Sequence, residues 1–222
     1  MNMTHGFYQL SPQRQRQFQL KLATLFIFLN IVIGALLVLA GLPLLIPFSF
    51  ALLLTVFAPF VDIPSGIKAG SLIYYSPMLI GEKLRKGRIV LHSGSLFDYY
   101  FVLDRTQSAN ENKKYVFTAY IDGLLKLIER YQGQQPTDIS IKATSYILNV
   151  RTANKIGLKR VRTDMIQSFI LYYNFVNLTC AMSLLNKKLT WPKMQKIFTF
   201  EGKLDTLIEK KDELLALQKR FN

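Results

Sequence analysis

The 222-residue chain is poor in the side chains that most often carry chemistry. It has one cysteine, two histidines and one tryptophan. A lone cysteine excludes an internal disulfide framework and any multi-cysteine metal site. Cys180 lies among Leu178, Ala181 and Met182 and reads as a buried apolar thiol. Walker, dinucleotide and G-x-S-x-G motifs are missing, and no His, Cys and carboxylate spacing suits a metal, so neither cofactor nor metal is expected. Acids are scarce as well, 14 against 28 Lys and Arg, for a net charge of +14. The widest gap is one of charge altogether: from Leu22 to Val61 no residue is charged.

About 18 consecutive apolar residues suffice for a transmembrane helix, and this run is about twice that length. A cleaved signal has an apolar core of only about 7–15 residues, so the run reads as an anchor. Near its middle, "GLPLLIP" (Gly41–Pro47) gathers helix-breaking residues. The sequence predicts a two-helix transmembrane hairpin, with spans at about 22–41 and 44–61 of roughly 30 Å and 27 Å. Arg14, Arg16 and Lys21 precede it, and Lys68, Lys83, Arg85, Lys86 and Arg88 follow. Both flanks are basic, so the positive-inside rule places both on the cytoplasmic side and requires an even number of crossings. The expectation is a multi-pass protein with both termini cytoplasmic. A loop that enters and leaves one membrane face satisfies the same rule. Asn30, within the first span, could bond its hairpin partner or another copy of the chain.

The fold class expected is this hairpin followed by a small α+β cytoplasmic domain and a C-terminal amphipathic helix. The divisions are a basic cytoplasmic leader (1–21), the hairpin (22–61), a juxtamembrane segment (62–88), the α+β domain (89–200) and the terminal helix (201–222). Ile67–Arg88 reads as a short helix on the membrane surface, with a linker packed on the domain as the alternative. Arg88–Val102 reads as two strands around "SGS". Phe117, Ile121, Leu124, Leu125 and Ile128 share helical spacing, and "DISIKA" alternates as a strand. "SYILNVR" and "LKRVR" read as further strands. Met165–Leu185 is apolar but dotted with amides and hydroxyls, and reads as a core or membrane-apposed helix, with a third span as the alternative.

All 14 acids and 25 of the 28 basic residues lie after Val61. Membrane-surface or anion-binding positions expected from charge are Lys83, Arg85, Lys86, Arg88, Arg151, Lys159, Arg160 and Arg162. Beside an anchor, anionic lipid headgroups are the nearest polyanion. Nucleic-acid signatures are missing. A protein partner or homo-oligomer would use the transmembrane or C-terminal helices.

One segment suggests chemistry. "HSGSLFD" resembles the His-and-Asp motif of membrane-bound glycerolipid acyltransferases, which implies His92 as general base and Asp98 as its orienter. The family spaces the two by four residues, and here five intervene. The primary expectation is therefore a binding, scaffolding or assembly protein at the cytoplasmic membrane face. The alternative is a membrane-associated enzyme acting on a lipid or headgroup through His92 and Asp98.

Overall fold

The computed structural model describes residues 5–133 and 138–221. A single turn, α1 (Gly6–Gln9), leads into α2 (Pro12–Leu39). Ser11 caps α2, its hydroxyl accepting from the Arg14 N–H, and Pro12 occupies the first turn, where no N–H is needed. This helix spans 28 residues, roughly 42 Å, and none of them is fully buried. Among the described residues it is the one helix that is by itself long and apolar enough to cross a membrane.

Gly41, at φ +72°, turns the chain back. A 3₁₀ turn at Pro43–Leu45 then leads into α3 (Ile46–Phe57). The ring of Phe26 meets those of Phe50 and Phe57 at 5.5 and 5.4 Å, so α3 packs along α2. The second apolar piece differs from the straight run expected at 44–61. It breaks after Phe57, and α4 (Pro59–Lys68) leaves at 50°. Pro59 has no N–H to continue the ladder. The unbroken part, Pro43–Phe57, is 15 residues, or roughly 22 Å, against a hydrocarbon core of about 30 Å. Within the chain Asn30 does not bond α3. Its amide donates to the Phe26 carbonyl of its own helix at 2.7 Å.

Six strands follow: β1 (Leu72–Ser76), β2 (Leu79–Glu82), β3 (Arg88–Ser93), β4 (Ser140–Ser145), β5 (Lys159–Val161) and β6 (Phe198–Lys203). Their spatial order is β1-β2-β3-β4-β6-β5. Among the described residues only β3 and β4 are parallel neighbours, and the crossover between them carries α5 (Leu96–Val102) and α6 (Ala109–Tyr131). α7 (Val150–Lys155) precedes β5. α8 (Met165–Tyr173) and α9 (Phe175–Asn186) precede β6, and α10 (Leu204–Glu209) and α11 (Lys211–Phe221) close the chain.

Alternation along the strands gives the sheet two unlike faces. Ile89, Leu91, Ile141, Ala143 and Phe200 point to one face and join Leu124, Ile128 and Leu214 in the main core. Gly123 of α6 lets that helix sit close on the sheet, since a Cβ there would come within 2.6 Å of Leu79. On the other face His92, Lys142, Thr144 and Glu201 are only partly covered.

Several local expectations are corrected. Residues 72–82 form the β1–β2 hairpin rather than a surface helix. Leu96–Val102 is a helix rather than a strand, because Asp98 accepts from the Ser95 N–H at 2.6 Å and closes a capping box. Tyr146–Asn149 is a turn into α7, not a strand. The terminal helix expected at 201–222 is divided among the end of β6, α10 and α11, and its Leu204, Leu207 and Leu214 are buried in the main core. The run 165–185 bends by 60° between α8 and α9. α9 is packed on α5, α6 and α3.

The leader is not a free arm. His5 and Phe7 are buried, and Phe7 joins Phe60, Met78, Leu96, Phe97 and Tyr99 in a second cluster, against which Phe18 and Leu22 of α2 also pack. The Gln19 amide donates to the Phe60 carbonyl at 3.5 Å. Residues on both sides of the apolar hairpin therefore share one core.

Candidate functional site

The two residues expected to act together are not hydrogen-bonded to each other. His92 ends the half-exposed side of β3, where Ile80 faces it across the β2–β3 pair and Thr144 across the β3–β4 pair. Its Nε2 lies 3.1 Å from Glu82 Oε1. Glu82 stands two residues beyond Ile80 and so points to the same face. The bond from His92 is the main cause that holds the Glu82 carboxyl below its usual range, with a smaller opposing effect of burial. A depressed folded-state pKa means stabilisation that is complete above the ordinary Glu range and lost as pH falls through the lowered value. Both side chains are nearly half exposed, so the pair is weak. Glu82→Gln should cost under about 1 kcal/mol at neutral pH and remove that acid-side loss, as read by thermal unfolding across pH 3–7.

Asp98 is fully buried. One carboxylate oxygen accepts from the Ser95 N–H at 2.6 Å and the Ser95 hydroxyl at 2.8 Å. The other accepts from the Tyr74 hydroxyl and stands 3.2 Å from His5 Nε2. His5 Nδ1 accepts the Phe7 N–H at 3.3 Å, so the proton on this ring lies at Nε2 and is aimed at Asp98. Burial, and then the Asp98 charge, push the Tyr74 hydroxyl far above its usual range, which keeps it a donor. Every lone-pair direction of Asp98 is thus used, and no substrate could reach it. Its partner is the other histidine, ninety-three residues away in sequence. The sequence signal for Asp98 was Ser95 three residues before it, a capping box. The signal for His5 was weaker: a polar residue leading into the apolar "GFYQL".

His92 does line a cavity of about 520 Å³. The cleft lies where the C-terminal ends of the parallel pair β3 and β4 meet the apolar helices. His92, Ser93, Ser95 and Thr144 come from the sheet side, Thr55, Ala58 and Asp62 from α3 and α4, and Gln167, Asn174 and Asn177 from α8 and α9. The Asn177 amide ties α9 to α3 through the Thr55 carbonyl at 2.8 Å, and the Asn177 side chain is buried. Cys180 is half-buried, and burial raises its thiol pKa. Among the described residues no group of three His, Cys, Asp or Glu could hold a metal.

The eight basic positions are all exposed. Lys83, Arg85 and Lys86 form the β2–β3 connection, at the end of β3 opposite His92. Six residues of strand separate the two ends by roughly 17–20 Å. Arg88 pairs with Glu201 at 2.5 Å, and Arg160 lies over the Phe198 ring at 4.3 Å. Lys159 faces Glu201 across the β5–β6 pair. Arg151 lies on α7, and Arg162 precedes α8. Among the described residues Lys83, Arg85, Lys86, Arg151, Lys159 and Arg162 make no salt bridge. The basic residues do not converge on one site.

Compared with protein-family models, curated proteins and solved structures, the chain matches none.

Proposed function

We propose that this is a bilayer-anchored binding or assembly protein whose α+β domain rests on the membrane face from which the hairpin enters. α2 and α3 form the anchor. The short return of α3 favours a hairpin that enters and leaves the same leaflet over one that fully crosses. Residues 5–22 and the domain share a core, so they lie on the same side, and the basic flanks make that side the cytoplasmic one.

The observation that carries this reading is a second apolar surface next to the hairpin. α8 has only nine residues, yet Met165, Ile166, Phe169 and Tyr172 are each more than 60% exposed. The sole tryptophan, Trp191, is exposed as well and stacks on Phe175 at the start of α9, 5.9 Å between centroids. Such a patch on a soluble surface would mark an interaction site, and α9 carries it straight to α3. Trp and Tyr prefer the headgroup zone. Lys193 and Lys196 follow Trp191 and supply charge toward anionic headgroups. Lys83, Arg85 and Lys86, at the far end of β3, face away from the bilayer on this reading.

Trp191 reports on this directly. With the full chain in nanodiscs of brominated phosphatidylcholine, Trp191 fluorescence should be quenched by shallow bromines, and an Ile166→Asp, Phe169→Asp double variant should lose that quenching. Quenching by aqueous acrylamide but not by brominated lipid would sink the docking.

A second reading, an enzyme acting on a lipid or headgroup, is favoured by the position of His92 in the cleft. On that reading the orienting carboxylate is Glu82 rather than Asp98.

A further inference from the structure

The cleft beside His92 is chemically unusual for this molecule. The protein carries a net charge of +14, yet no Lys or Arg lines the cleft. Apart from His92, the only charged group there is Asp62. The remaining polar lining is hydroxyl and amide. The Gln167 side-chain amide and the Asp62 carboxylate have no hydrogen-bond partner among the described residues, and the Asn174 side-chain Oδ1 is equally open. A phosphate would find no Lys or Arg there, whereas a neutral polyol would find donors and acceptors among the hydroxyls and amides.

The surrounding helices also line the cleft with apolar side chains, Leu54, Ala58, Ile170 and Leu171. Leu54, Ala58 and Asp62 are spaced four residues apart and form a ridge along α3 and α4. The same three residues bound a second cavity, of about 380 Å³, between α2 and α3. Its other walls are Leu22, Ala23, Phe26, Phe57 and Val61, and it has no polar group beyond Asp62. The ridge is lowest at Ala58, which has only a methyl group. A cleft that carries polar groups and a groove that is apolar apart from Asp62 thus adjoin across one small side chain.

We propose that the two cavities together bind an uncharged, hydroxyl-bearing single-chain glycerolipid, of the monoacylglycerol class. The glycerol headgroup lies among His92, Thr144, Gln167 and Asn174, and the acyl chain passes over Ala58 into the groove between α2 and α3. One groove accommodates one chain, and apolar burial there supplies the affinity. Amides and hydroxyls select the headgroup, because a charged group desolvated without a partner is disfavoured. The proposal rests on the membrane-docked reading only for how the lipid is delivered.

The test uses the full chain in phosphatidylcholine nanodiscs with a monoacylglycerol carrying a diazirine in its acyl chain. Photolabel should map to peptides containing residues 22–26 and 54–62. Excess 1-oleoylglycerol should displace it, and oleoyl lysophosphatidate should displace it far less. Ala58→Trp raises the ridge, and losing the burial of about two methylenes corresponds to roughly tenfold weaker capture. Gln167→Leu, on the cleft rim and outside both cores, should weaken displacement by 1-oleoylglycerol and decides the matter if Ala58→Trp lowers the unfolding temperature. Label that 1-oleoylglycerol does not displace is bulk lipid contact and overturns the proposal. Equal displacement by lysophosphatidate overturns the headgroup assignment, and unchanged capture by Gln167→Leu overturns the site. Displaceable label without lipid quenching of Trp191 would overturn the docking alone. Quenching without displaceable label would overturn the cleft alone.

Discussion

Asp98→Ala should unfold the region where the leader, α5 and the anchor meet, whereas His92→Ala should leave the protein nearly as stable as the parent. Asp98 receives bonds from His5, Tyr74 and, twice, Ser95, all within a buried cluster. Deleting the acceptor strands these donors away from water. Removing one partner from such a buried polar set costs about 3–5 kcal/mol. That is a large share of the 5–15 kcal/mol that a domain commonly has. Asp98→Asn keeps the shape but turns an NH₂ toward groups that donate, so an intermediate loss of about 1–3 kcal/mol is expected. His92 has one half-exposed partner, and its removal should cost under about 1 kcal/mol. Thermal unfolding of the detergent-solubilised chain, followed by near-ultraviolet circular dichroism, reads all three. Equal losses from His92→Ala and Asp98→Ala would show that the two residues act as a pair after all.

Phe97→Ala should be comparably damaging for a different reason. Phe97 is fully buried and is met by rings on several sides: His5 stacked at 4.9 Å, Phe7 edge-on at 5.0 Å, Phe101 at 5.2 Å and Phe60 at 5.8 Å. These rings come from α1, α4 and α5, so the cavity left by alanine opens between elements rather than within one. Truncating a buried Phe costs about 3–5 kcal/mol, the upper end applying where the walls cannot collapse. Phe97→Leu should recover more than half of the loss. Denaturant midpoints for the two variants check this, and protease nicking near residues 5–11 should rise in Phe97→Ala alone. A loss under about 1 kcal/mol for Phe97→Ala would mean that the leader does not pack on α5.

The long apolar helix α2 was the most legible part of the sequence because it lies in 40 residues without charge. The 50° break at Pro59 was harder to see, since an apolar count does not register a missing N–H. β4 showed itself through the alternation of Ile139 and Ile141 with polar neighbours. β1 and β2 did not, because β2 is buried almost throughout and its sequence lacks alternation. α5 was hidden by aromatics that favour strands, although the capping-box spacing of Ser95 and Asp98 was present. His92 and Asp98 were plausible as a pair because they are near in sequence. The helix that starts at Ser95 turns Asp98 into the core, away from the strand face that carries His92. His5 was set aside as part of the leader, and a contact across ninety-three residues has no local signature.

That contact also sets an order of events during synthesis. His5 is made ninety-three residues before Asp98. At about 5–20 residues per second, it waits roughly 5–20 s for its acceptor. On the proposed reading, in which α2 and α3 enter a bilayer, the hairpin is complete well before then. The opening residues must therefore remain on the side where the sheet will later assemble. A chain inserted with its opening segment across the membrane cannot deliver Phe7 and His5 to α5, and its second cluster stays unfilled. Under the proposed anchoring, closure of the His5–Asp98 bond is thus a late check on topology, made by the same residues that hold the finished fold.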